Sequence, residues 1–330
     1  MKQYKANGNE KFIVEEVTSS SEKDIAKIKI SKVFPTRSDL DIFSGKSDIA
    51  YPFVPGHIAV GYVSEDKPEY GLRRGARVVL NPYIISYSDK SQTLPEIQTY
   101  GVNKNGFLAD FVCLTVENII PLPEDVKEDD AIFAEHIAIS LAVINNFEIA
   151  KGDYVAIIGG SPLCNIIAQL AMYFQAIPIV IDHKADRLAI AKECGVYYTI
   201  NSSKEVTIDR VLEITGGRMA EHTILHSEQG ITPHYLFALA RNGGDCTIMS
   251  VHGYPNPLET DINLINQKQL TVKGVSNGAT EFNSAIYLLA QKVLKLSPLI
   301  ESVTPIADAE KLFLNLKEQG FGMANLIQMD

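Results

Sequence analysis

The sequence predicts an α/β protein in which a mainly-β domain precedes a doubly wound parallel sheet. The chain has 330 residues, more than one hydrophobic core usually serves, so two domains are expected. Short strand patterns separated by turn residues fill roughly the first 110 residues. From residue 151 onwards helical and strand patterns alternate, which is typical of a parallel sheet with helices on both faces.

The composition narrows the class of protein. It is that of a globular protein, with 46% apolar and 21% charged residues. The net charge of −10 disfavours a nucleic-acid-binding protein, which needs basic patches to neutralise phosphate. No apolar run approaches the roughly 20 residues that span a bilayer, and MKQYKANGNEK does not fit a signal peptide. Four cysteines are scattered without metal-ligand spacing: Cys113, Cys164, Cys194 and Cys246. We therefore expect a cytoplasmic protein with no nucleic-acid or membrane partner.

The first domain is predicted from short, turn-punctuated strands. These are expected at Lys11–Val17, Ile25–Val33, Gly56–Val63, Arg77–Asn81 and Leu108–Leu114. The polar, irregular segment Tyr83–Asn105 is interpreted as a surface excursion. A helix over Asp129–Phe147 is expected to direct Glu135 and His136 inward and to lead into the second domain.

The second domain opens with a predicted βαβ unit. The apolar run Tyr154–Ile158 indicates a buried strand, which Gly159–Pro162 interrupts. An alanine-rich helical pattern follows over Leu163–Phe174, and a second strand over Ile177–Ile181 ends on Asp182. Strand, tight turn, helix, strand and terminal carboxylate are the arrangement that holds the adenosine half of a dinucleotide.

This unit predicts a cofactor. A helix N-terminus offers free N–H groups and partial positive charge to a pyrophosphate, and Asp182 can accept both ribose hydroxyls. A 2′-phosphate would meet that negative charge, so NAD(H) is favoured over NADP. The three positions that are ideally glycine hold Gly159, Ser161 and Cys164, so an α/β unit that binds nothing is the alternative. The predicted cofactor-binding residues of the unit are Gly159, Ser161, Pro162, Leu163 and Asp182.

The rest of the chain completes the second domain and returns to the first. Strands and helices are expected at Glu205–Thr215, Thr223–His226, Tyr235–Ala240, Asp245–Ser250, Leu270–Gly274, Glu281–Leu294, Ala307–Gln319 and Asn325–Gln328. Because the nucleotide unit is complete near Ser276, we expect the tail to pack on the first domain. The predicted domains are residues 1–146 with 276–330, and residues 147–275.

Six segments in order resemble one family. They are TRSDLDIFSG, VPGHIAVGYV, RRGARVVLNPY, FAEHIAISLAVI, IIGGSPLCN and TGGRMAEHTILHSEQG. Their order and spacing are similar to those of the medium-chain dehydrogenase/reductase superfamily, which includes the zinc alcohol and sorbitol dehydrogenases. The resemblance covers essentially the whole chain. It implies a GroES-like first domain, a Rossmann second domain, an active site between them, and a homodimer or homotetramer.

The zinc ligands of that family are depleted in this chain. The positions that match the family's ligands are Thr36, His57, Glu135 and Ile58. A catalytic zinc usually needs three protein ligands, and two good ligands with a neutral hydroxyl fall short. The segment Tyr83–Gly106 contains no cysteine, so the family's structural zinc is expected to be absent as well.

Other functional positions of the family are retained. Arg37 matches an arginine that reaches the coenzyme pyrophosphate, and Ser38 matches a hydroxyl that passes on the substrate proton. Asp39 matches a carboxylate that orients the histidine at position 57. The resemblance thus implies four catalytic residues: Ser38, Asp39, His57 and Glu135. It also places His252 and Asn277 near the nicotinamide, although the interpretation of both as plain loop residues is favoured.

The expected activity is hydride transfer between NAD(H) and a small alcohol, a polyol or the corresponding ketone, without catalytic zinc. In this scheme His57 and Ser38 donate hydrogen bonds to the developing alkoxide in place of a metal. The alternatives are a zinc-dependent polyol dehydrogenase, a zinc-free enoyl-type reductase, and a nucleotide-binding pseudoenzyme. The side chains expected to line the substrate pocket are Phe43, Tyr51, Tyr83 and parts of Ile84–Tyr100. Phe43 and Tyr51 can equally be core aromatics.

Overall fold

The computed structural model describes residues 1–17, 25–86, 96–226, 235–249 and 261–330. These residues form two compact units, Met1–Glu135 with Ile300–Asp330 and His136–Leu299. The domain boundaries predicted from the sequence at residues 146 and 276 stay a prediction. Among the described residues, no helix combines the length and apolar character that a membrane span requires.

The N-terminal part of the first unit is built mainly from strands. They are β1 (Lys2–Ala6), β2 (Phe12–Glu16), β3 (Ile25–Val33), β4 (Ala59–Val63), β5 (Arg77–Leu80), β6 (Tyr83–Ser86), β7 (Glu96–Thr99), β8 (Phe111–Thr115) and β9 (Ile119–Pro121). Two short helices accompany them, α1 (Arg37–Phe43) and α2 (Glu128–Ala131), and α3 (Ala134–Asn145) then leads into the second unit.

The second unit alternates strands and helices. They are β10 (Tyr154–Ile158), α4 (Pro162–Tyr173), β11 (Ile177–Asp182), α5 (Ala185–Glu193), β12 (Tyr198–Asn201), α6 (Thr207–Ile214), β13 (Ala220–Leu225), α7 (Tyr235–Ala238), β14 (Ala240–Ile248), α8 (Asn263–Lys268), β15 (Thr271–Gly274) and α9 (Phe282–Gln291). The chain then returns to the first unit with β16 (Ile300–Pro305), α10 (Ala309–Gln319) and β17 (Ala324–Gln328).

A seven-stranded sheet organises the first unit. Its order is β16-β17-β3-β4-β5-β9, with β8 paired to β3. The central strand β3 alternates buried and outward residues, as the pleat of a half-buried strand requires. Three aromatic rings in tilted and edge-to-face contact pack α1 and α10 together, with centroids 4.9 Å apart for Phe12–Phe43 and 5.0 Å for Phe43–Phe313. Phe43 is therefore a core residue.

The second unit contains a six-stranded parallel sheet in the order β12-β11-β10-β13-β14-β15. Numbered along the chain, this is the order 3-2-1-4-5-6 of dinucleotide-binding folds, and the strand order reverses between β10 and β13. The apolar runs that predicted β10 and β11 are buried on both faces, as parallel strands covered by helices must be. The predicted GroES-like mainly-β domain and Rossmann doubly wound sheet are confirmed.

Three details differ from the sequence expectations. The supposed excursion Tyr83–Asn105 contains the antiparallel pair β6–β7, with Tyr83 opposite Thr99; residues 87–95 of it lie outside the described part. The expected helix Asp129–Phe147 is two helices, α2 and α3. The expected helix near residue 281 is α9, which belongs to the second unit, whereas β16, α10 and β17 join the first unit.

Candidate active site and dinucleotide-binding turn

The side chain of Asp39 fixes the start of α1. The backbone N–H of Thr36 donates to Asp39 Oδ2 over 2.7 Å, and the Thr36 hydroxyl donates to the same oxygen over 3.0 Å. The backbone N–H of Gly56 donates to Asp39 Oδ1 over 2.6 Å. Because this carboxylate is fully buried, it ties α1 firmly to the turn before β4, and the next residue of that turn is His57.

Glycines hold the turn at His57 by allowing close backbone approach. Gly56 has φ +92°. A Cβ on Gly101 would lie 2.7 Å from the backbone nitrogen of His57, and one on Gly106 would lie 2.3 Å from Gly56 O. Part of the segment Tyr83–Asn105 therefore supports the backbone at His57, although most of its described residues are exposed or half-buried, as expected for a surface segment. The support comes from backbone contacts, which leave no pattern in the sequence.

His57 lies between two buried carboxylates. Its Nδ1 is 3.7 Å from Asp39 Oδ2, and its Nε2 is 3.5 Å from Glu135 Oε2. Both separations exceed hydrogen-bond length, and Nδ1 is buried without a hydrogen-bond partner among the described residues. The imidazole side chain is 13% exposed. His57 therefore lies between two carboxylates without a close hydrogen bond to either of them.

Glu135, at the beginning of α3, is held by a tyrosine. The Tyr83 hydroxyl donates to Glu135 Oε1 over 2.6 Å, and both side chains are buried. Burial raises the pKa of the Glu135 carboxyl, a shift that His57 and the Tyr83 hydrogen bond oppose and that the charge of Asp39 reinforces. Glu135 is thus a buried carboxyl whose two oxygens face different groups.

The hydroxyls at the start of α1 form a directed chain. Ser38 Oγ lies 2.9 Å from Thr36 Oγ1. Since the Thr36 hydrogen is donated to Asp39, Ser38 is the donor in the first of these two bonds. The oxygen of Ser38 can therefore accept a proton from a further hydroxyl. Arg37 points elsewhere, because its Nε donates to Asp41 Oδ1 over 3.1 Å.

The donor set at the family's zinc position does not fit a catalytic zinc. Thr36 offers a neutral hydroxyl already used towards Asp39, and Ile58 offers no donor atom. Only His57 and Glu135 have suitable donor atoms, and Tyr83 holds one oxygen of the latter. Three protein ligands are usual at such a centre. Within the described residues, no group of three His, Cys, Asp or Glu side chains is arranged to hold a metal ion.

In the second unit, the turn after β10 keeps its backbone form. Gly159 has φ +126°, and a Cβ there would lie 2.3 Å from His226 O, so only glycine fits. Ser161 caps α4 and accepts from the backbone N–H of Cys164. Pro162 is the first residue of α4. A backbone N–H at this position would have no acceptor within the helix, so proline, which has no N–H, is well suited to it. The eroded glycine pattern therefore still builds a tight turn followed by a helix N-terminus.

Cys164 occupies the third glycine position of the motif. A Cβ on Gly159 would lie 2.9 Å from its sulfur, so the cysteine fills the space where helix and strand usually meet through glycine. Leu163 beside it is also buried. Burial raises the pKa of the Cys164 thiol to about 12. This side chain is a packing element and not a nucleophile.

Asp182, at the end of β11, is fully buried. Its Oδ2 accepts from the backbone N–H of Gly160 over 2.7 Å, and its Oδ1 accepts from that of Lys184 over 2.7 Å. The Arg187 guanidinium lies 3.4 Å from Oδ2. The carboxylate thus links the glycine turn to the segment after β11. Its role as an acceptor for ribose hydroxyls stays a prediction.

Sequence reasoning missed three contributors to these sites. Tyr83 was grouped with possible pocket aromatics, whereas its partner is Glu135. Arg187, five residues after a strand-ending aspartate, could have been found as a helix-borne cation near that carboxylate. His226, whose Nδ1 is 3.3 Å from Ser161 Oγ, directly follows β13 at the switch point.

Tyr51 and Asn277 each form a local hydrogen bond. The Tyr51 hydroxyl donates to Ile42 O over 2.9 Å, which accounts for that ring within the first unit. Asn277 Oδ1 accepts from the backbone N–H of Ala279 over 3.1 Å, as a loop asparagine commonly does. His252 lies outside the described residues.

Comparisons with known proteins agree with this architecture. The family model described as the alcohol dehydrogenase GroES-like domain matches residues 22–124. The model described as zinc-binding dehydrogenase matches residues 162–291. Together they match more than two thirds of the chain.

Individual relatives are similar over most of their length. An uncharacterised zinc-type alcohol dehydrogenase-like protein of Haemophilus influenzae is 28% identical over 306 residues, covering 87% of this chain and 86% of the relative. Sorbitol dehydrogenase of Rattus norvegicus is 25% identical, covering 84% and 80%. The crystal structure of a zinc-binding dehydrogenase from Sinorhizobium meliloti bound to NADP superposes with a TM-score of 0.88 at 19% identity, covering 99% and 98%. The chain therefore belongs to the medium-chain dehydrogenase/reductase superfamily of oxidoreductases.

Proposed function

We propose that this chain is an NAD(H)-dependent oxidoreductase that acts on a small alcohol or polyol, or on the corresponding ketone, without catalytic zinc. The observation that carries the proposal is the buried line of side chains in which His57 lies between Asp39 and Glu135, 3.7 and 3.5 Å away. A charged, water-poor group of this kind is typical of acid–base sites. The sorbitol dehydrogenase relative supports the substrate class.

The hydroxyl chain gives the substrate proton a path. Oxidation of an alcohol releases a hydride, which the nicotinamide accepts when bound, and a proton, which the protein must take up. The substrate hydroxyl donates to Ser38 Oγ, Ser38 donates to Thr36, and Thr36 donates to Asp39. In the reverse direction the same hydroxyls return the proton to the forming alcohol.

His57 and Glu135 supply the electrostatics of the same step. The 3.5 Å separation between His57 Nε2 and Glu135 Oε2 is too long for a hydrogen bond, so the Nε2 hydrogen is available to a substrate oxygen. A hydrogen bond from Nε2 would stabilise the negative charge that develops on an alkoxide oxygen. Asp39 keeps the ring in place through the charge that it presents to Nδ1.

The second unit supplies the proposed cofactor site. The N-terminus of α4, with Ser161 and Pro162, presents N–H groups to a pyrophosphate, and Leu163 and Gly159 shape the turn. Arg37 is proposed as a further pyrophosphate contact, which requires it to leave Asp41. The NADP-bound Sinorhizobium structure supports a nicotinamide dinucleotide in general. The preference for NAD(H) rests on the carboxylate of Asp182.

The test is the variant His57→Ala assayed with NADH and a panel of ketones and polyols. We expect turnover to fall by about 10²- to 10⁴-fold, while the Kd for NADH, measured by fluorescence titration, stays unchanged. His222→Ala is the control, because His222 lies between Asp153 and Asp245 in the second unit. Turnover that survives the His57 substitution would remove this residue from the mechanism.

A pseudoenzyme that keeps the fold but binds the nucleotide weakly is the second candidate, and one observation favours it. Asp182 is fully buried, and each of its oxygens already accepts a backbone N–H of the protein, which makes the carboxylate less accessible to ribose hydroxyls. Weak NADH binding without turnover on any substrate of the panel would select this candidate. Stoichiometric zinc in the purified protein would support the zinc-dependent polyol dehydrogenase. NADH consumption with enone substrates would support the enoyl-type reductase.

A further inference from the structure

We propose that Glu135 determines substrate specificity: its Oε2 atom accepts a hydrogen bond from a second substrate hydroxyl, on the carbon next to the one that reacts. The site then selects vicinal diols and α-hydroxyketones over simple alcohols and ketones. The proposal deepens the proposed function and rests on the zinc-free site described there. Because ligand binding without turnover also tests it, it can be judged separately from the oxidoreductase activity.

One oxygen of Glu135 is used by the protein, and the other is open. The Tyr83 hydroxyl donates to Oε1 over 2.6 Å. Oε2 faces His57 Nε2 across 3.5 Å, which is too long for a hydrogen bond, and no described residue donates one to it. Glu135 is 4% exposed, and an open acceptor at such a buried position is costly unless a bound group donates to it. Oε2 is therefore suited to accept from a ligand.

The reacting hydroxyl of the substrate cannot fill this role. In the proposed mechanism it donates its hydrogen to Ser38 Oγ, and its oxygen accepts from His57 Nε2. A hydroxyl has only one hydrogen to donate, so none is left for Glu135. A second hydroxyl on the neighbouring carbon supplies the missing donor. Oxygens on adjacent carbons are close enough for one to reach His57 Nε2 while the other reaches Glu135 Oε2, because these two atoms are 3.5 Å apart.

Tyr83 fixes the direction of the open oxygen. Its N–H donates to Asn81 Oδ1 over 3.0 Å, and its carbonyl accepts from Asn118 Nδ2 over 2.9 Å. The same amide donates to Asn81 O over 2.7 Å, so Asn118 holds the backbone on both sides of Pro82. With the phenol anchored in this way, Glu135 cannot turn Oε1 towards a substrate without losing a buried hydrogen bond. A preorganised acceptor of this kind distinguishes ligands by the hydrogen that they donate.

The experiment compares two ketones that differ in one hydrogen-bond donor. Hydroxyacetone and methoxyacetone both carry an oxygen on the carbon beside the carbonyl, but only hydroxyacetone can donate from it. The full-length protein is assayed with NADH at about pH 9, which favours the ionised carboxylate although burial raises the pKa of Glu135. The variant is Glu135→Gln. With its amide oxygen held by Tyr83, this side chain presents an NH₂ group to the substrate and can no longer accept.

Glu221→Gln is the matched control. Glu221 is 8% exposed and accepts from the backbone N–H of Tyr154 in the second unit. The control therefore also removes a buried carboxylate, but one outside the proposed site. Thermal unfolding confirms that both variants are folded.

We expect kcat/KM of the wild type to be about 10- to 100-fold higher for hydroxyacetone than for methoxyacetone, the effect of one hydrogen bond to a charged group. Glu135→Gln should lose most of this preference, and Glu221→Gln should keep it. A wild type that does not distinguish the two ketones overturns the proposal, and so does a preference that survives Glu135→Gln.

Binding of the corresponding alcohols separates this proposal from the proposed function. The dissociation constants of propane-1,2-diol and 1-methoxypropan-2-ol are measured by NMR, with and without NADH. The wild type should bind the diol about 10-fold or more tightly than its methyl ether, and Glu135→Gln should bind the two alike. Selective binding of the diol without reduction of either ketone would count against the redox activity alone. Equal binding of the two alcohols to the wild type, or binding of neither, overturns the proposal even if Glu135→Gln does not fold.

Discussion

Each compact unit contains a buried carboxylate at the centre of its site, and the two are satisfied differently. Asp182 in the second unit accepts two backbone N–H bonds of 2.7 Å and faces a guanidinium. Glu135 in the first unit accepts one bond, from the neutral Tyr83 hydroxyl, and its other oxygen faces an imidazole at 3.5 Å. Both carboxylates are buried, but the groups that donate hydrogen bonds to them differ.

The difference separates a structural carboxylate from a chemical one. Fixed N–H dipoles and a cation compensate Asp182 even before a ligand binds, so its charge also holds the turn together, besides the role in NAD(H) preference proposed above. Glu135 is compensated only in part, and burial raises its pKa. Incomplete compensation of a buried ionisable group is the usual mark of a site that handles protons. Three predictions test this contrast, beginning with the largest effect.

The first prediction concerns Asp182→Ala. Removing the carboxylate takes away the hydrogen bonds that the backbone N–H groups of Gly160 and Lys184 make to it, and the charge that faces the buried Arg187 guanidinium. We expect a loss of about 3–5 kcal/mol in the free energy of unfolding, measured by denaturant titration. Asp186→Ala, an exposed position on the same helix as Arg187, should change stability little. A small loss for Asp182→Ala would mean that this carboxylate is not structural.

The second prediction concerns the glycine that begins the turn. Gly159→Ala places a Cβ 2.3 Å from His226 O at φ +126°, whereas Gly152→Ala, at φ +88°, meets no atom within 4 Å. Backbone strain alone costs about 1–3 kcal/mol, so both variants lose stability. The variant at Gly159 should lose more and should also bind NADH more weakly. Equal losses of stability for Gly159→Ala and Gly152→Ala would show that the backbone at Gly159 shifts to accommodate the added Cβ without cost.

The third and smallest effect is the pH dependence contributed by Glu135. Because its pKa is raised in the folded protein, the folded state takes up this proton more readily than the unfolded chain. The stabilisation is fully present below the ordinary value of 4.5 and is lost as pH rises through the folded-state pKa.

Glu135→Gln removes this dependence. The Tm of the variant relative to the wild type should therefore increase as pH is raised from 4.5, when both are followed by thermal unfolding across neutral pH. The exposed Glu124→Gln is the control. A Tm difference that is constant with pH would show that Glu135 carries the same charge in the folded and unfolded protein.

Most of the fold could be predicted from local patterns. Runs such as Tyr154–Ile158 and Ile177–Ile181 are observed as β10 and β11 almost residue for residue, because parallel strands buried on both faces must be continuously apolar. The pairing of β6 with β7 could not be predicted in this way. Its segment lacks an apolar alternation, and glycines such as Gly101 act there through backbone contacts that leave no side-chain pattern.

The candidate residues were predictable one by one, but their partners were not. Ser38, Asp39, His57 and Glu135 were identified from motif positions, and the structure brings them into one hydrogen-bonded and charged group. Nothing in the sequence pairs Tyr83 with Glu135, since 51 residues separate them. The contacts of Asp182 could not be predicted from the sequence either. Arg187 lies near this carboxylate only because α5 packs against β11 in the folded protein.

The sequence by itself determined the α/β class, the order of strands and helices, and the identity of the chemical groups. These follow from residue type and from periodicity, which are local properties of the chain. The tertiary structure alone decided which oxygen of each carboxylate is occupied, by which donor, and at what distance. Such contacts join residues far apart in the chain, and their strength depends on geometry and burial that no local pattern encodes.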